Sequence, residues 1–273
     1  MEFWKMNGAG NDFIILDNRE TRFSPEKLGR IAAALCPRRF AVGADGFMAV
    51  EEPTMGGDYK MRFYNADGTM GEMCGNGARC ICRYGYERGL AGEIQRVETT
   101  AGLVIGQRLG EDSYRVQLNN PSVLDQHRAS SHGETGYVEL GNPGVPHCLF
   151  PVEGLADKPL DAIRSLGFCL RHDPAYPKGA NANLYDFLGE DHLVIRTFER
   201  GVEDFTYACG TGTGSLVSLL TVQGKVSGKG VRVENLGGTL TVDVEAENGT
   251  VKAVYLTGPA TISYRGEVEL KTL

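Results

Sequence analysis

Two short stretches, lying half the chain apart, restrict the fold more than any other feature. One reads Met73-Cys74-Gly75-Asn76-Gly77-Ala78-Arg79, the other Ala208-Cys209-Gly210-Thr211-Gly212-Thr213-Gly214-Ser215. Each puts a cysteine before a glycine, a small polar residue and a second glycine, and each runs into a stretch of helical length. The flanking order matches as well. Phe3 to Asp17 reads as strand, glycine-rich turn and strand, Ser24-Pro25 as a helix start, Phe47 to Val50 and Lys60 to Tyr64 as strands, and Arg96 to Leu118 as a three-stranded meander. After the break at Asn119-Asn120-Pro121 a similar order returns: strand His147 to Val152, helix Leu160 to Leu170, strands Leu184 to Leu188 and Val194 to Phe198, helix Ser215 to Gln223, and a meander from Val231 to Leu256. Cys74 and Cys209 stand 135 residues apart, and Gly102 and Gly238, both in strand-to-strand turns, 136. A duplicated α/β unit of roughly 130 residues accounts for these offsets. The expected fold is therefore α/β (α+β), with two pseudo-symmetric domains and a small-ligand site in the cleft where the related motifs face each other.

The motifs themselves point to a chemistry. A cysteine at a helix start sits at the positive end of the dipole, where its thiolate is favoured. The first backbone N–H groups of the helix have no intrahelical partner and can receive a carboxylate. Inverting an α-carbon requires a base on one face and an acid on the other, with the roles exchanged in the reverse direction. Two thiols suit that symmetry, since the ordinary thiol pKa of about 8.5 lies near working pH. Cys74 and Cys209 are the candidate proton-transfer pair. Gly75, Asn76, Gly210 and Thr211 are the candidate donors that bind the carboxylate and stabilise the charge left as the α-proton departs.

Composition narrows the setting. A chain of 273 residues has room for two domains. The formal net charge of −7 argues against a nucleic-acid partner. No apolar stretch approaches the ~20 residues that span a bilayer, and Met1-Glu2-Phe3-Trp4-Lys5 lacks the layout of a signal peptide. The seven cysteines, odd in number and irregularly spaced, fit reduced thiols in the cytoplasm. Cys36, Cys148 and Cys169 lie in apolar surroundings and read as core residues. Cys74, Cys80 and Cys82 have no nearby histidine, so neither a metal site nor another cofactor is expected.

At these motifs the sequence resembles the diaminopimelate epimerase family, and the resemblance runs nearly end to end. It is carried by Lys5-Met6-Asn7-Gly8-Ala9-Gly10-Asn11-Asp12-Phe13, Tyr64-Asn65-Ala66-Asp67-Gly68, the Cys74 block, Gly144-Val145-Pro146-His147, Ala180-Asn181-Ala182-Asn183, Glu199-Arg200-Gly201, the Cys209 block and Thr257-Gly258-Pro259-Ala260. The resemblance implies two domains, each a β-sheet wrapped around a central helix. It places the first domain at residues 1–118 with a C-terminal strand at 260–273, and the second at residues 119–259. It implies a cofactor-independent epimerase acting on a small amino-acid substrate, with Cys74 and Cys209 catalytic. Asn11, Asn65, Asn181 and Arg200 would hold the substrate, Arg200 at the distal carboxylate, and Glu199 would bind the distal ammonium. His147 matches a position important for activity. Dimers occur in the family, which implies a homodimer here, and Tyr264 matches a position at that interface.

Three positions depart from the family pattern. Val145 stands where many members carry Asn, Gly46 where many carry Gln, and Phe205 where an acidic residue is usual. They leave open a cofactor-independent racemase of another amino acid. From the residues alone, a thiol redox or metal-binding protein using Cys74, Cys80 and Cys82 is the rival from a different class.

Overall fold

Ser24 caps the first helix, α1 (Pro25–Leu35), by accepting the Lys27 N–H, and Pro25 takes the first helical position. The helix ends ahead of Pro37, which disfavours helical backbone at the residue before it. These details come from a computed structural model that describes residues 1–71 and 75–269. Met73 and Cys74, and residues 270–273 of the expected C-terminal strand, therefore lie outside the described residues.

The chain divides into two compact units. One comprises Met1–Val116 and the residues from Gly258 onward, the other Gln117–Thr257. The first holds β1 (Glu2–Gly8), β2 (Asn11–Asp17), α1, β3 (Gly46–Glu51), β4 (Tyr59–Asn65), α2 (Gly75–Glu87), β5 (Ile94–Thr99), β6 (Gly102–Arg108), β7 (Ser113–Leu118) and β16 (Thr261–Glu267). The second holds β8 (Pro121–Ser130), β9 (Gly133–Gly141), β10 (Gly144–Pro151), α3 (Leu160–Arg171), β11 (Asn181–Gly189), β12 (His192–Phe198), α4 (Gly210–Val222), β13 (Val231–Asn235), β14 (Gly238–Glu247) and β15 (Thr250–Pro259).

Strand order in the first unit is β16-β1-β2-β3-β4-β5-β6-β7, and in the second β8-β9-β10-β11-β12-β13-β14-β15. In the first, β2–β3 and β4–β5 are parallel and the other joins antiparallel. In the second, β10–β11 and β12–β13 are parallel and the rest antiparallel. A parallel join needs a crossover, and all four crossovers are helices: α1 and α2 in one unit, α3 and α4 in the other. The two units thus repeat one pattern strand for strand. Only the first position differs, filled by β8 from within the second half and by β16 from the far end of the chain.

Within each unit one helix is buried all round. In α2 every residue from Gly75 to Gly85 is buried, and in α4 Gly210 and Gly212 to Leu220 are. Helix α2 touches β1, β2 and β6, and α4 touches β9, β10, β11 and β14, so each sheet curls about its helix. Several polar groups on and beside α2 find local partners. Tyr59 Oη donates toward Ile81 O at 3.1 Å, Gln95 Nε2 donates to Cys82 O at 2.7 Å, and Arg83 reaches Asp112 and the carbonyl of Ala260. The outer helices are amphipathic. The apolar residues of α1 (Leu28, Ile31, Ala32, Leu35) pack on β3 and β4, while α3 packs on β11 and β12.

Two elements differ from the sequence reading. Helix α4 begins at Gly210 rather than Ser215, because its glycines continue the helix instead of forming the turn before it. The hairpin β8–β9 is new. Its first strand is mostly half-exposed and polar, Asp125-Gln126-His127-Arg128, so no apolar alternation announces it. No helix among the described residues is long and apolar enough to cross a membrane.

The connection between β3 and β4 depends on a buried carboxylate. Glu98 on β5 is 0% exposed and accepts N–H groups from Thr54 (2.7 Å), Met55 and Gly57 (2.9 Å), and the Thr54 hydroxyl (3.1 Å). Burial works against its ionisation, but these donors outweigh it and hold the carboxyl at about 2. Because the folded value lies below the unfolded one of about 4.3, the stabilisation is complete above that pH and fades as pH falls toward 2. Amide-exchange protection at Thr54, Met55 and Gly57 is therefore expected to decline in that acid window, and to be already weakened at neutral pH in Glu98→Gln. Unchanged protection in both experiments would show that other contacts hold this loop.

Candidate active site

The second unit gathers most of the candidate residues. Cys209 is the N-cap of α4, with extended backbone (φ −114°, ψ 105°), and its carbonyl accepts the Thr213 N–H at 2.9 Å. Gly210, Thr211 and Gly212 are then the first helical residues, whose N–H groups lack intrahelical acceptors. The Thr211 hydroxyl lies 3.5 Å from Cys209 Sγ and 3.1 Å from His147 Nε2. His147, on β10, is 0% exposed. Burial, with a smaller push from the Arg200 charge, drives the imidazole down to about 3, so it is neutral at physiological pH. Its Nδ1 lies 3.2 Å from Asn183 Nδ2. Asn181 opens β11 directly opposite His147 in the parallel register, and its Oδ1 accepts the Arg200 N–H at 2.8 Å. Arg200 is exposed, and its Nη1 donates to Lys178 O at 3.0 Å. Glu199, half-buried, follows the end of β12.

The second glycine of this motif has a steric reason. A Cβ on Gly212 would stand 2.3 Å from Asn183 Oδ1 and 3.3 Å from Cys209 Sγ. Only glycine lets the helix start approach the buried asparagine this closely.

In the first unit, Gly75 opens α2, with Asn76 buried beside it. A chain of side-chain hydrogen bonds runs from cation to anion. Arg79 Nη2 donates to Asn76 Oδ1 (2.9 Å), Asn76 Nδ2 to Asn11 Oδ1 (3.4 Å), and Asn11 Nδ2 to Asp45 Oδ2 (2.8 Å). Arg38 then bonds both Asp45 and Asp12, and Lys5 pairs with Asp12 at 2.7 Å. Burial opposes ionisation of Asp12, but Arg38 and Lys5 prevail and hold it at about 2. Both asparagine carbonyls therefore turn toward Arg79 and both amino groups toward Asp45. Asn65, exposed at the end of β4, binds the Thr69 hydroxyl at 2.9 Å across a tight turn. Tyr264 is exposed on the edge strand β16, its ring edge-on to Phe3.

Register relates the two sets. Phe13, Gly46 and Asn65 stand in line across β2, β3 and β4. His147 and Asn181 stand in line across β10 and β11, and Ala182 pairs with Phe198, which brings Glu199 to the matching edge. The departing residues also find reasons. A Cβ on Gly46 would meet the Phe63 ring at 2.5 Å, so a longer side chain has no room. Phe205 packs edge-on against Phe198 at 5.4 Å in the core beneath α3. Val145, half-buried, sits two residues before His147 on β10.

Four residues of these networks escaped the sequence reading. Asn183 and Thr197 bond to each other at 2.9 Å behind His147, and Arg79 and Asp45 terminate the chain through Asn76 and Asn11. Asn183 was recognisable as the same-face neighbour of Asn181 at period two. Arg79 could be noticed as a charge four residues before Arg83 on a helix that is buried along most of its length. Cys80 and Cys82 are fully buried in α2, and burial pushes the Cys82 thiol up to about 12. Among the described residues no group of three His, Cys, Asp or Glu is placed to hold a metal ion.

The family model of diaminopimelate epimerase matches residues 3–123 and 140–263. The chain is 37% identical to the diaminopimelate epimerase of Aquifex aeolicus over 284 aligned positions, covering 100% of this chain and 99% of the relative. It is 36% identical to that of Chlorobaculum tepidum, covering 97% and 100%. Two solved structures share the fold at low identity. One is a Bacillus anthracis phenazine biosynthesis protein of the PhzF family (TM-score 0.74, 18% identity, 99% of each chain). The other is a probable proline racemase from Agrobacterium radiobacter K84 (TM-score 0.73, 14% identity, 99% of this chain and 93% of that one). With a family model spanning both units and relatives above one third identity end to end, this chain belongs to the diaminopimelate epimerase family.

Proposed function

We propose that this protein is an isomerase that interconverts LL-2,6-diaminopimelate and meso-2,6-diaminopimelate, using Cys74 and Cys209 as the proton-transfer pair. The observation that carries this reading is the 37% identity, over the whole chain, to a relative named diaminopimelate epimerase. One cysteine, as thiolate, takes the α-proton from one face of the carbon. The other, as thiol, returns a proton to the opposite face, and each ends in the state in which the other began. The N–H groups of Gly75, Asn76, Gly210 and Thr211 receive the carboxylate at the reacting end and stabilise the charge that develops there. Arg200 takes the distal carboxylate, Glu199 the distal ammonium, and Asn11, Asn65 and Asn181 the remaining polar groups. The chemistry calls for no pyridoxal phosphate and no metal.

The setting follows from the family. It implies a place in lysine and peptidoglycan precursor biosynthesis, in the cytoplasm. We take the protein to be a homodimer, with the exposed Tyr264 on β16 as part of the contact. The thiol redox or metal reading loses support from Cys80 and Cys82, which are fully buried on α2.

Incubation with diaminopimelate in heavy water is expected to place solvent deuterium at the α-carbon as the isomers interconvert. Cys74→Ala and Cys209→Ala should each cut turnover by roughly a thousandfold while keeping the wild-type circular dichroism spectrum. Near-normal turnover in either variant would remove the two-thiol mechanism. Arg200→Met should raise KM for diaminopimelate by about tenfold or more, as expected for losing a charge-assisted bond. A substrate panel that showed strong turnover of a monocarboxylate and none of diaminopimelate would reassign the substrate.

A further inference from the structure

In the first unit one aromatic ring sits where two glycines make room for it. Side chains alternate along a strand, so Asn11 and Phe13 on β2, Gly46 and Met48 on β3, and Phe63 and Asn65 on β4 share one sheet face. The opposite face, with Phe47 and Tyr64, packs in the core with α1. Exposure rises along the shared face. Phe13 and Met48 are buried, Phe63 is half-buried, and Asn65 is exposed. A Cβ on Gly46 would fall 2.5 Å from one edge of the Phe63 ring, and a Cβ on Gly71 would fall 2.5 Å from the other. Neither glycine has the left-handed backbone that calls for glycine by itself, so it is the missing side chains that matter, and they leave space for the ring. The Gly71 N–H donates to the Phe63 carbonyl at 2.9 Å, and Phe13 closes on the ring edge-on at 6.1 Å.

We propose that Phe63 is a specificity-determining residue: its half-buried ring is the apolar wall of the substrate site in this unit, and it takes the methylene chain that joins the two ends of diaminopimelate. The inference rests on the reading of Asn11 and Asn65 as substrate-binding residues. Both amides stand on the ring's own sheet face. A Cβ on Gly71 would also lie 3.2 Å from Asn65 Oδ1, so the amide oxygen and the ring border the same small space. Gly71 stands three residues before Cys74 in the chain.

Substrate chemistry gives such a ring its use. Diaminopimelate carries an ammonium and a carboxylate at each end and only methylenes between them. Asparagines serve the ends, and they offer the middle no apolar surface. A ring beside them removes hydrocarbon from water when the chain docks. It also disfavours a chain that bears a hydroxyl, which would lose its water without gaining a partner. With both edges held by backbone and Phe13 packed against it, the ring is already ordered before the substrate arrives, so little side-chain entropy is lost on binding. A ring that served the core alone would be closed off from solvent. This one stays partly open on the face that carries both asparagines.

Contact and selectivity test this separately. In protein labelled with carbon-13 phenylalanine, the Phe63 ring is identified among eleven phenylalanines by the signal missing in Phe63→Leu. Nuclear Overhauser transfer is expected from its ring protons to the methylene protons of bound diaminopimelate. In kinetics, wild type should prefer diaminopimelate to its analogue with a hydroxyl on the central methylene by roughly tenfold to a hundredfold in kcat/KM. Phe63→Gln should erase most of that preference and raise KM for diaminopimelate about tenfold, with kcat within about twofold. Phe63→Leu, smaller but still apolar, should raise KM less and keep the preference. A role in packing alone predicts that each variant loses both substrates equally. That result, or a ring that transfers to no amino acid tried, would overturn the wall. If diaminopimelate is neither bound nor turned over by wild type while the ring transfers to the side chain of norleucine, the substrate assignment fails and the wall stands.

Discussion

A helix with no solvated face must be enclosed, and in each unit of this protein the sheet supplies the enclosure. Helices α2 and α4 are buried along most of their length, and strands from both ends of their own sheet touch them. Their backbone polar groups are satisfied within the helix except at its two ends, carbonyls at the last turn and N–H groups at the first. That first turn is where the cysteine motifs stand. The frame that buries the helix thus creates, without any further device, a set of donors aimed away from the core. The Cys-Gly-x-Gly sequence fits such a place, because Gly212 lets the helix start press against Asn183 where a Cβ would collide.

Much of this frame could be read from the residues. The capped start of α1, the meander after α2 and the return of the same order after Pro121 follow from local chemistry and spacing. Hairpin β8–β9 was not read, since a strand lined with Asp125, Gln126, His127 and Arg128 has no apolar face to mark it, even though Ser131-His132-Gly133 supplies a turn signal. The glycines at the head of α4 misled for another reason. Their low helix propensity is overridden by the burial of Leu216, Val217, Leu219 and Leu220 behind them. In the site, single residues were legible and their couplings were not. Asn11 and Asn76 could be named from the sequence, but that Arg79 and Asp45 set the direction of both amides is a fact of three-dimensional contact.

The two networks solve the same problem by different means. An amide side chain can be turned either way at little intrinsic cost, so a site built from asparagines needs something to choose the orientation. In the first unit the choice is ionic: Arg79 at one end and Asp45 at the other polarise the line between them. In the second it is neutral: backbone carbonyls of Cys148 and Asn181 and the Thr197 hydroxyl hold Asn183. A neutral lock suits a fully buried position, where an unpaired charge would be costly.

Duplication gave both units one frame, and the contents diverged at matched positions. Phe13 and His147 occupy corresponding places on β2 and β10, as do Gly46 and Asn181 on β3 and β11. In the first unit Phe13 packs on Phe63 at 6.1 Å, and the space beside Gly46 is filled by the same ring. In the second, those two places hold an imidazole and an amide joined to the helix start. Backbone donors at the head of a helix come with the frame, whereas the side-chain line to Cys209 Sγ is built from residues particular to the second unit. A polar line thus stands in the second unit where an aromatic stack stands in the first, one layer behind the residues that the motif displays.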